Sequence, residues 1–192
     1  PTSAAADQVG ESADLGDWQP PFANAPDTDY AIAEHRAAAA AAMQTVRQQM
    51  GQRYLPIING ESVSTESSLD SVNPSNPAEL VGKVGLASEA QADQALAAAQ
   101  AAFPTWAATP AQERAAILRR AADLMAARRH ELNAWIMLEV GKPLGQADPE
   151  VSEVIDFCRF YADEMERLDA GYAYDYPGET NRYRYFPRGI GV

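Results

Sequence analysis

The sequence predicts an α/β protein that is mostly helical. Between residues 88 and 170, four helix patterns follow one another, each marked by a capping signal or by a closing Gly or Pro. Strand-like segments flank these helices on both sides. The final segment, residues 189–192, has the small and β-branched character of a strand that enters a buried sheet. Because such a strand needs neighbouring strands, we expect the 192 residues to form the front part of a larger α/β protein.

Composition and charge restrict the class of protein. The apolar share of 46% and the charged share of 22% are ordinary for a globular chain. A formal net charge of -12 argues against a nucleic-acid partner and against adsorption to an anionic membrane. The sequence has no apolar run of about 18 residues that could cross a bilayer. No basic residue precedes an apolar segment at the N-terminus, as it would in a signal peptide. We therefore expect a cytoplasmic protein.

The chain begins with an arm and a helix. Residues 1–26 are rich in Ala, Ser, Gly, Asp and Pro, which is typical of a linker or flexible arm. Residues 27–52 contain an alanine-dominated helix, predicted over 30–50. Because its large apolar residues are sparse, we expect it to pack on a neighbour through small residues. The capping candidates are Asp27, Thr28 and Asp29 at its start and Gly51 at its end.

The pattern then changes to that of β-strands. Residues 54–63 predict a hairpin, because Asn59-Gly60 supplies the two positive-φ positions of a type I′ turn. Residues 71–77, with two prolines, predict a rigid turn-forming connection. A short strand is predicted over residues 80–86.

Capping residues and prolines mark the boundaries of the first two of the four helices. Ser88 and Gln91 stand at capping-box spacing, so a helix is predicted from residue 89 to residue 103, closed by Pro104. Thr109 repeats the capping signal, with Pro110 at the first position of the next helix. The buried stripe predicted for this second helix comprises Ile117, Leu118, Ala121, Leu124 and Met125.

Glycines mark the ends of the other two helices. The third is predicted over about residues 131–140, ending at Gly141, and the fourth over about residues 149–168, with its end marked by Gly171. Their predicted apolar faces comprise Leu132, Trp135, Ile136 and Leu138 in the third helix and Val151, Val154, Ile155, Cys158, Tyr161, Ala162 and Met165 in the fourth.

The tail is again β-like. Strands are predicted over residues 172–176 and 182–186, with a turn at 177–181 between them. Alternating Tyr and Arg indicate a strand with one face against another subunit or domain and the other in water.

Cys158 is the one cysteine and therefore the one candidate thiol nucleophile. A reactive thiolate needs an electropositive and accessible site. Its neighbours place Cys158 on the apolar stripe of a helix, so we interpret it as an inert core thiol. With one cysteine the chain cannot form an intrachain disulfide, and with only His35 and His130 beside it we expect no zinc site.

Charged residues near the helix ends offer two further candidates. Glu139 and Lys142 could form a catalytic carboxylate and cation around Gly141, but we prefer a role of Lys142 in complementing the helix dipole. The acidic positions of the fourth helix could bind a metal only if they converged. Most lie on different faces, so we expect a solvated surface. These positions are Glu150, Glu153, Asp156, Asp163, Glu164 and Glu166.

Gly189 and Gly191 are the candidates for a dinucleotide site, because glycines after a strand let the backbone approach a pyrophosphate. Here they stand at the start of the predicted strand, and no helix follows within the chain. The Tyr and Arg residues of the tail could bind a nucleotide base, but the net charge favours a subunit interface. From the residues alone, we assign no catalytic, cofactor-binding or metal-binding residue.

Taken in order, six segments resemble the N-terminal part of the NAD(P)-dependent aldehyde dehydrogenase superfamily over about residues 54–192. Three further segments resemble its subgroup that oxidises L-glutamate γ-semialdehyde, the open form of 1-pyrroline-5-carboxylate. That subgroup occurs alone or behind a proline dehydrogenase domain in proline utilization A. The six segments are residues 72–74, 92–99, 103–106, 114–125, 139–143 and 187–192, and the three are 22–29, 155–162 and 176–179.

The resemblance implies an enzyme with a Rossmann-like NAD domain, a catalytic domain with a cysteine nucleophile, and a β-flap that builds the oligomer. The implied chemistry is thiolate attack on the aldehyde, hydride transfer to NAD, and thioester hydrolysis by water that a glutamate activates. The family has these groups beyond position 192. The resemblance therefore transfers no catalytic role to Cys158.

Residues 53–192 would then be the incomplete N-terminal part of an aldehyde dehydrogenase domain. Its helices at 88–170 would belong to the NAD domain and its strands at 54–63 and 172–186 to the oligomerisation flap. The implied partners are the rest of the enzyme chain and further copies of it. NAD would bind the parent and not this piece. The alternatives are a non-catalytic helical binding or oligomerisation module, and an aldehyde dehydrogenase of another substrate.

Overall fold

The structure, a computed structural model, describes residues 22–191 and confirms a mostly helical α/β chain. The greater part of the predicted arm, residues 1–21, and Val192 lie outside the described residues. The helices are α1 (Ala33–Gln49), α2 (Glu89–Ala108), α3 (Ala111–Ala127), α4 (Arg129–Val140) and α5 (Leu144–Asp169). The strands are β1 (Gln52–Tyr54), β2 (Ile57–Ile58), β3 (Glu61–Ser62), β4 (Ser67–Asn73), β5 (Asn76–Leu86), β6 (Tyr172–Tyr176) and β7 (Glu179–Tyr183).

Strand β5 is the centre of a three-stranded sheet, parallel to β1 and antiparallel to β4. The predicted strand at 80–86 is confirmed and begins earlier, at Asn76. The prediction of a connection over residues 71–77 is wrong, because the turn is confined to Pro74 and Ser75. The Asn73 side chain accepts a hydrogen bond from the Ser75 N–H (2.9 Å), and this local bond allows pairing to resume at Asn76.

The predicted hairpin around Asn59-Gly60 is confirmed for β2 and β3. Asn59 (φ 53°) and Gly60 (φ 81°) both have positive φ, as a type I′ turn requires. Tyr54 does not belong to this hairpin, since it lies in β1 and pairs with Val84 of the larger sheet.

Helix α1 begins at Ala33, three residues later than predicted, and no side chain caps it. Gly51 follows its end with φ +80°, as expected of a terminating glycine. The expectation of packing through small residues is wrong. The large residue Val46 is fully buried against Val81 of β5 and Leu138 of α4, and the partly buried Met43 and Met50 pack on the same cluster.

Helix α2 has the predicted capping box. The Gln91 N–H donates to Ser88 Oγ (3.3 Å) and the Ser88 N–H donates to Gln91 Oε1 (2.9 Å). The predicted end at Pro104 is wrong, since the helix continues to Ala108. A proline removes one backbone N–H, and because α2 has no buried residue, water can hydrate the carbonyl that loses its partner.

Helix α3 begins at Ala111, with Pro110 at the N-cap and no side-chain cap. Thr109 instead ends α2, where its hydroxyl donates to the Thr105 carbonyl (2.9 Å). The predicted apolar stripe is wrong in two of its large residues, because Ile117 is 56% exposed and Leu124 is 55% exposed. The buried residues of α3 are small, namely Ala111, Ala115 and Ala122.

Helix α5 begins at Leu144, five residues before the predicted start, with Pro149 inside it. The predicted ends of α4 and α5 are confirmed by Gly141 (φ 77°) and Gly171 (φ 67°). Three predicted core residues of α5 are buried, and three are exposed. The buried residues are Val151, Ile155 and Ala162, and the exposed residues are Val154, Tyr161 and Met165.

In the tail, β6 matches its prediction, whereas β7 begins at Glu179, three residues early. The prediction of a buried strand over residues 189–192 is wrong for its described part. Residues 184–191 form no strand, and Ile190 is 37% exposed. No described strand pairs with these residues, so the described chain does not form a sheet that could bury them.

Two small clusters form the core of the described chain. One joins α1, β5 and α4, and the other joins α3 and α5. Among residues 22–191, no helix has both the length and the apolar character needed to cross a bilayer. The cytoplasmic location and the lack of a nucleic-acid partner stay predictions.

Candidate functional site

One face of α5 presents three buried polar residues at successive turns. Asp148, Ser152 and Asp156 are spaced by four residues, so their side chains lie above one another along the helix. We call these three residues the polar ladder. All three contact the segment formed by residues 24–30, which we call the strap.

Asp148, at the N-terminal end of the ladder, accepts the most hydrogen bonds of the three residues. Its carboxylate accepts hydrogen bonds from the Thr28 N–H (2.6 Å), the Thr28 hydroxyl (2.9 Å) and the Tyr30 hydroxyl (3.0 Å) of the strap. Helix α4 adds donors from Asn133 Nδ2 (2.7 Å) and from the Arg129 guanidinium (3.1 Å). The Asp148 side chain is only 2% exposed, so its charge depends on these donors.

Burial and hydrogen bonding act on the Asp148 carboxyl in opposite directions. Burial alone raises the pKa of Asp148, but hydrogen bonds from Thr28, Asn133 and Tyr30 outweigh it and hold that pKa below its ordinary value. Burial raises the pKa of the Tyr30 hydroxyl, and the nearby Asp148 carboxylate adds to the rise. At neutral pH, Asp148 is therefore ionised and Tyr30 is protonated.

The other two ladder residues hold the beginning of the strap. Asp156 accepts hydrogen bonds from Asn24 Nδ2 (2.7 Å) and from the Ala25 N–H (2.7 Å). The Ser152 hydroxyl donates to Asp27 Oδ1 (2.8 Å) and accepts from Arg129 (2.9 Å). The strap thus runs antiparallel to α5.

A cleft of about 530 Å³ lies between the strap and the neighbouring face of α5. The strap side contributes Asn24, Ala25 and Asp27, preceded by Phe22, whose ring stands edge-on to Phe160 with centroids 5.6 Å apart. The α5 side carries both carboxylates and aromatic rings, namely Glu153, Asp156, Phe157, Phe160 and Tyr161. We call this space the strap cleft. Carboxylates and ring faces both attract cationic groups.

The candidate residues identified from the sequence do not form one site. Lys142 forms an ion pair with Glu150 of α5, so the structure does not place it in a catalytic pair with Glu139, which is exposed. Cys158 is half-buried and packs against the cluster of Val151 and Ile155. This contact is what an inert core thiol would make, and the role of Cys158 stays a prediction.

The acidic positions of α5 are mostly on the surface, as expected. Asp163 and Glu166 pair with Arg119, and Glu164 pairs with Arg167. The expectation is wrong for Asp156, which the strap covers. Among residues 22–191, no three His, Cys, Asp or Glu side chains group closely enough to hold a metal ion.

Sequence reasoning missed the centre of the site. It did not single out Asp148, Arg129 or Asn133, and it interpreted residues 24–26 as part of a flexible arm. A signal existed in the spacing of Asp148, Ser152 and Asp156, which predicts a continuous polar face on a helix. The partners of that face could not be read from the sequence, since the Thr28 and Asp148 positions are 120 residues apart.

Comparison with known proteins gives a consistent result. A model described as the aldehyde dehydrogenase family matches residues 61–192. A curated 1-pyrroline-5-carboxylate dehydrogenase of Geobacillus thermodenitrificans is 42% identical over 173 residues, which are 90% of this chain and 34% of the relative. Another, from Oceanobacillus iheyensis, is 40% identical over 173 residues, with the same coverage of both chains.

Solved structures agree with these relatives. Proline utilization A from Bdellovibrio bacteriovorus superposes with a TM-score of 0.85 at 36% identity, covering 88% of this chain and 18% of that one. The 1-pyrroline-5-carboxylate dehydrogenase from Thermus with bound NAD superposes with a TM-score of 0.82 at 40% identity, covering 88% and 33%. The chain therefore spans about a third of the length of the curated relatives it matches.

The two kinds of sequence match differ at the strap. The family-wide match begins at residue 61 and does not include it. The alignment with the Geobacillus relative extends over 173 of the 192 residues and omits 19, so it cannot begin after residue 20. The strap is therefore inside that alignment.

Proposed function

The chain belongs to the aldehyde dehydrogenase family, and on that basis we propose that it is part of an NAD-dependent enzyme that oxidises L-glutamate γ-semialdehyde to L-glutamate. The observation that carries this proposal is the identity of about 40%, over nine-tenths of the chain, to several curated 1-pyrroline-5-carboxylate dehydrogenases. The structure adds support, since two of the segments that resemble this subgroup contact each other, through Asn24 and Ala25 on one side and Asp156 on the other.

NAD would accept the hydride from the substrate in this reaction. Two places that the sequence offers for a dinucleotide do not fit one. Gly189 and Gly191 lie in an exposed segment outside any strand or helix, and the N-terminus of α2 is satisfied by its own capping box. We therefore place NAD binding in the longer protein, as the NAD-bound Thermus relative suggests, and assign no step of hydride transfer to this chain.

The described residues also provide no group that we assign to catalysis. Aldehyde oxidation of the implied kind needs an accessible thiolate and a base to activate water. Cys158 packs against apolar residues of the core. We propose that the 192 residues contribute structure and not chemistry, and that they are inactive by themselves.

The β6–β7 hairpin supports a further part of the proposal, assembly into an oligomer. The hairpin has two strands only. Exposed tyrosines lie within it, at Tyr174, Tyr176 and Tyr183, and shortly after it, at Tyr185. Open strand edges and exposed tyrosines are typical of contacts between subunits. We propose that this hairpin and β2–β3 belong to the oligomerisation flap, and that α2 to α5 belong to the NAD domain.

The test is an assay of the longer protein that contains this chain. Purified intact protein should form NADH when given 1-pyrroline-5-carboxylate with NAD, and the isolated 192 residues should not. Propanal serves as the control aldehyde. If the intact protein oxidises propanal but not 1-pyrroline-5-carboxylate, the family assignment still holds and the proposed substrate is wrong.

The tyrosine-rich hairpin also favours the second candidate, a non-catalytic oligomerisation module. That candidate predicts concentration-dependent assembly, measured by light scattering, without NADH formation from any aldehyde.

A further inference from the structure

The strap is held by α5 over three successive helical turns. Asp156 binds Asn24 and Ala25, Ser152 binds Asp27, and Asp148 binds Thr28 and Tyr30, as described above. Two of these bonds come from backbone N–H groups of the strap, so they fix the path of its backbone as well as the positions of its side chains. A segment held in this way cannot behave as a linker.

The extent of the strap in related proteins differs from the extent of the family fold. The match common to the aldehyde dehydrogenase family starts at residue 61, whereas the alignment with the Geobacillus 1-pyrroline-5-carboxylate dehydrogenase includes residues 24–30. The strap therefore lies inside the resemblance to that enzyme and outside the family-wide match, which also leaves out α1, β1 and β2.

The strap also forms one wall of the strap cleft. If residues 24–27 left α5, the cleft would lose Asn24, Ala25 and Asp27 and become an open surface. The opposite wall would change as well, because Asp156 would lose both of its hydrogen-bond donors. The shape of the cleft and the position of its charges therefore depend on the ladder.

We propose that the strap is a specificity-determining element of the enzyme, which acts by positioning the α5 wall of the strap cleft for an aldehyde that carries an ammonium group. This inference rests on the proposed function. The strap residues and the ladder are positioning residues, because they act through the shape of the cleft and not on the reacting aldehyde carbon. Carboxylates and aromatic rings on its walls supply the charge and the ring faces that an ammonium group prefers.

The test uses the intact enzyme and the variants Asp148→Asn and Asn24→Ala. Asp148→Asn removes the charge that accepts five hydrogen bonds. Asn24→Ala removes one hydrogen bond between the strap and Asp156 and changes no residue of α5. The measurement is kcat/KM for 1-pyrroline-5-carboxylate divided by kcat/KM for propanal. We expect this ratio to fall at least about tenfold in Asp148→Asn and less in Asn24→Ala, an effect that corresponds to about 1.4 kcal/mol of selectivity.

Two controls separate specificity from stability. Val46→Ala destabilises the other core cluster, away from the cleft, and should lower the melting temperature without changing the ratio. Asp29→Asn changes an exposed aspartate of the strap that does not bind the ladder and should change neither. If Asp148→Asn does not fold, Thr28→Val, which removes one strap bond to Asp148 and does not change a residue that lines the cleft, decides the result.

The outcomes are distinct. If the wild-type enzyme does not reduce NAD with 1-pyrroline-5-carboxylate, the proposed function is wrong and this inference falls with it. If the wild type is active and the variants of Asp148 and of the strap keep the wild-type ratio within twofold, the function stands and the strap is only structural.

Discussion

At the scale of single residues, Asp148 determines how the N-terminal strap is held. Hydrogen bonds to a buried charged group contribute about 1.5–3 kcal/mol each. Removing the charge while the donors of Thr28 and Arg129 remain leaves those donors poorly matched. The carboxylate accepts three hydrogen bonds from the strap, whereas Asp156 accepts two and Ser152 donates one.

We predict that Asp148→Asn in the intact protein speeds hydrogen exchange of the strap amides about 30-fold, which corresponds to about 2 kcal/mol of local stability. The affected amides include those of Ala25 and Thr28. Asp29→Asn is the matched control and should leave the exchange unchanged. Strap amides that exchange in the wild type as fast as in a free peptide would contradict the prediction.

The pKa of Asp148 gives the strap a defined dependence on pH. Because the folded pKa lies below the ordinary value of 3.8, the stabilisation is fully present above the unfolded pKa and is lost as the pH falls through the folded pKa. The pKa of Tyr30 is raised above 10.0, so its contribution is lost as the pH rises through that folded pKa. Protection factors of the strap amides should be constant at neutral pH and fall in acid, with a smaller acid decline in Asp148→Asn. An equal decline in both would be evidence against this role.

Cys158 allows a further test at this scale. We predict that Cys158→Ser in the intact enzyme leaves kcat within about twofold, because the thiol packs in the core. Loss of a true nucleophile would lower kcat by several orders of magnitude, on the order of 10⁴ or more. The measurement is steady-state NADH formation, with the melting temperature as the control for folding. A complete loss of activity in a folded variant would show that the thiol is catalytic.

At the scale of secondary structure elements, proline was a poor guide to helix boundaries. Pro104 lies inside α2 and Pro149 lies inside α5. A proline interrupts a single backbone hydrogen bond. In α5, packing of the buried residues outweighs that loss, whereas in α2, which has no buried residue, water can hydrate the carbonyl that loses its partner. Glycines with positive φ were reliable, because Gly141 and Gly171 adopt a conformation that few other residues accept.

Gly171 joins α5 to the β6–β7 hairpin and supports a prediction about assembly. A Cβ at this position would collide with the Tyr183 carbonyl oxygen, in addition to the cost of positive φ. We predict that Gly171→Ala disrupts the pairing of β6 with β7 and, if the hairpin builds the oligomer, lowers the molecular mass measured by light scattering.

Gly178→Ala is the matched control for this variant. Gly178 has φ +85° but no atom within 4 Å of an added Cβ, so this change has only the conformational cost of about 1–2 kcal/mol. Hairpin exchange and mass should stay near the wild type. The proposal for the hairpin would be wrong if Gly171→Ala disrupted pairing without any effect on mass.

At the scale of the whole molecule, the described chain buries little and exposes much. Its two core clusters contain few large side chains, with Ile155, Val46 and Val151 the largest fully buried apolar residues. Exposed apolar residues occur on the sheet, on α5 and on the last hairpin. Apart from the residues that line the strap cleft, they include Tyr54, Leu69, Val84, Leu86, Val154, Tyr174 and Tyr176.

Surfaces of this kind normally contact another domain or subunit. We therefore predict that the isolated 192 residues bind the dye ANS strongly and melt without a sharp transition, whereas the intact protein does neither. Calorimetry and ANS fluorescence at equal molar concentration provide the comparison. A cooperative melt with low dye binding for the isolated piece would show that it closes its own core.

The sequence by itself determined the local devices of this protein. The Asn59-Gly60 turn, the Ser88 capping box and the glycine ends of α4 and α5 depend on residues a few positions apart, so their physics is contained in short segments. The order of family segments likewise identified the aldehyde dehydrogenase fold, because the family match includes all six segments in full.

Only the tertiary structure decided which polar and apolar groups are buried. The bonds of Asp148 to Thr28 and of Asp156 to Asn24 join positions 120 and 132 residues apart. No local sequence pattern shows that Asp156, on a helix, accepts a hydrogen bond from the backbone N–H of Ala25 in the N-terminal arm. Burial depends on what packs against a face, and that depends on the whole chain. This is why the arm was predicted to be flexible, although its residues Asn24 and Ala25 donate hydrogen bonds to Asp156 of α5.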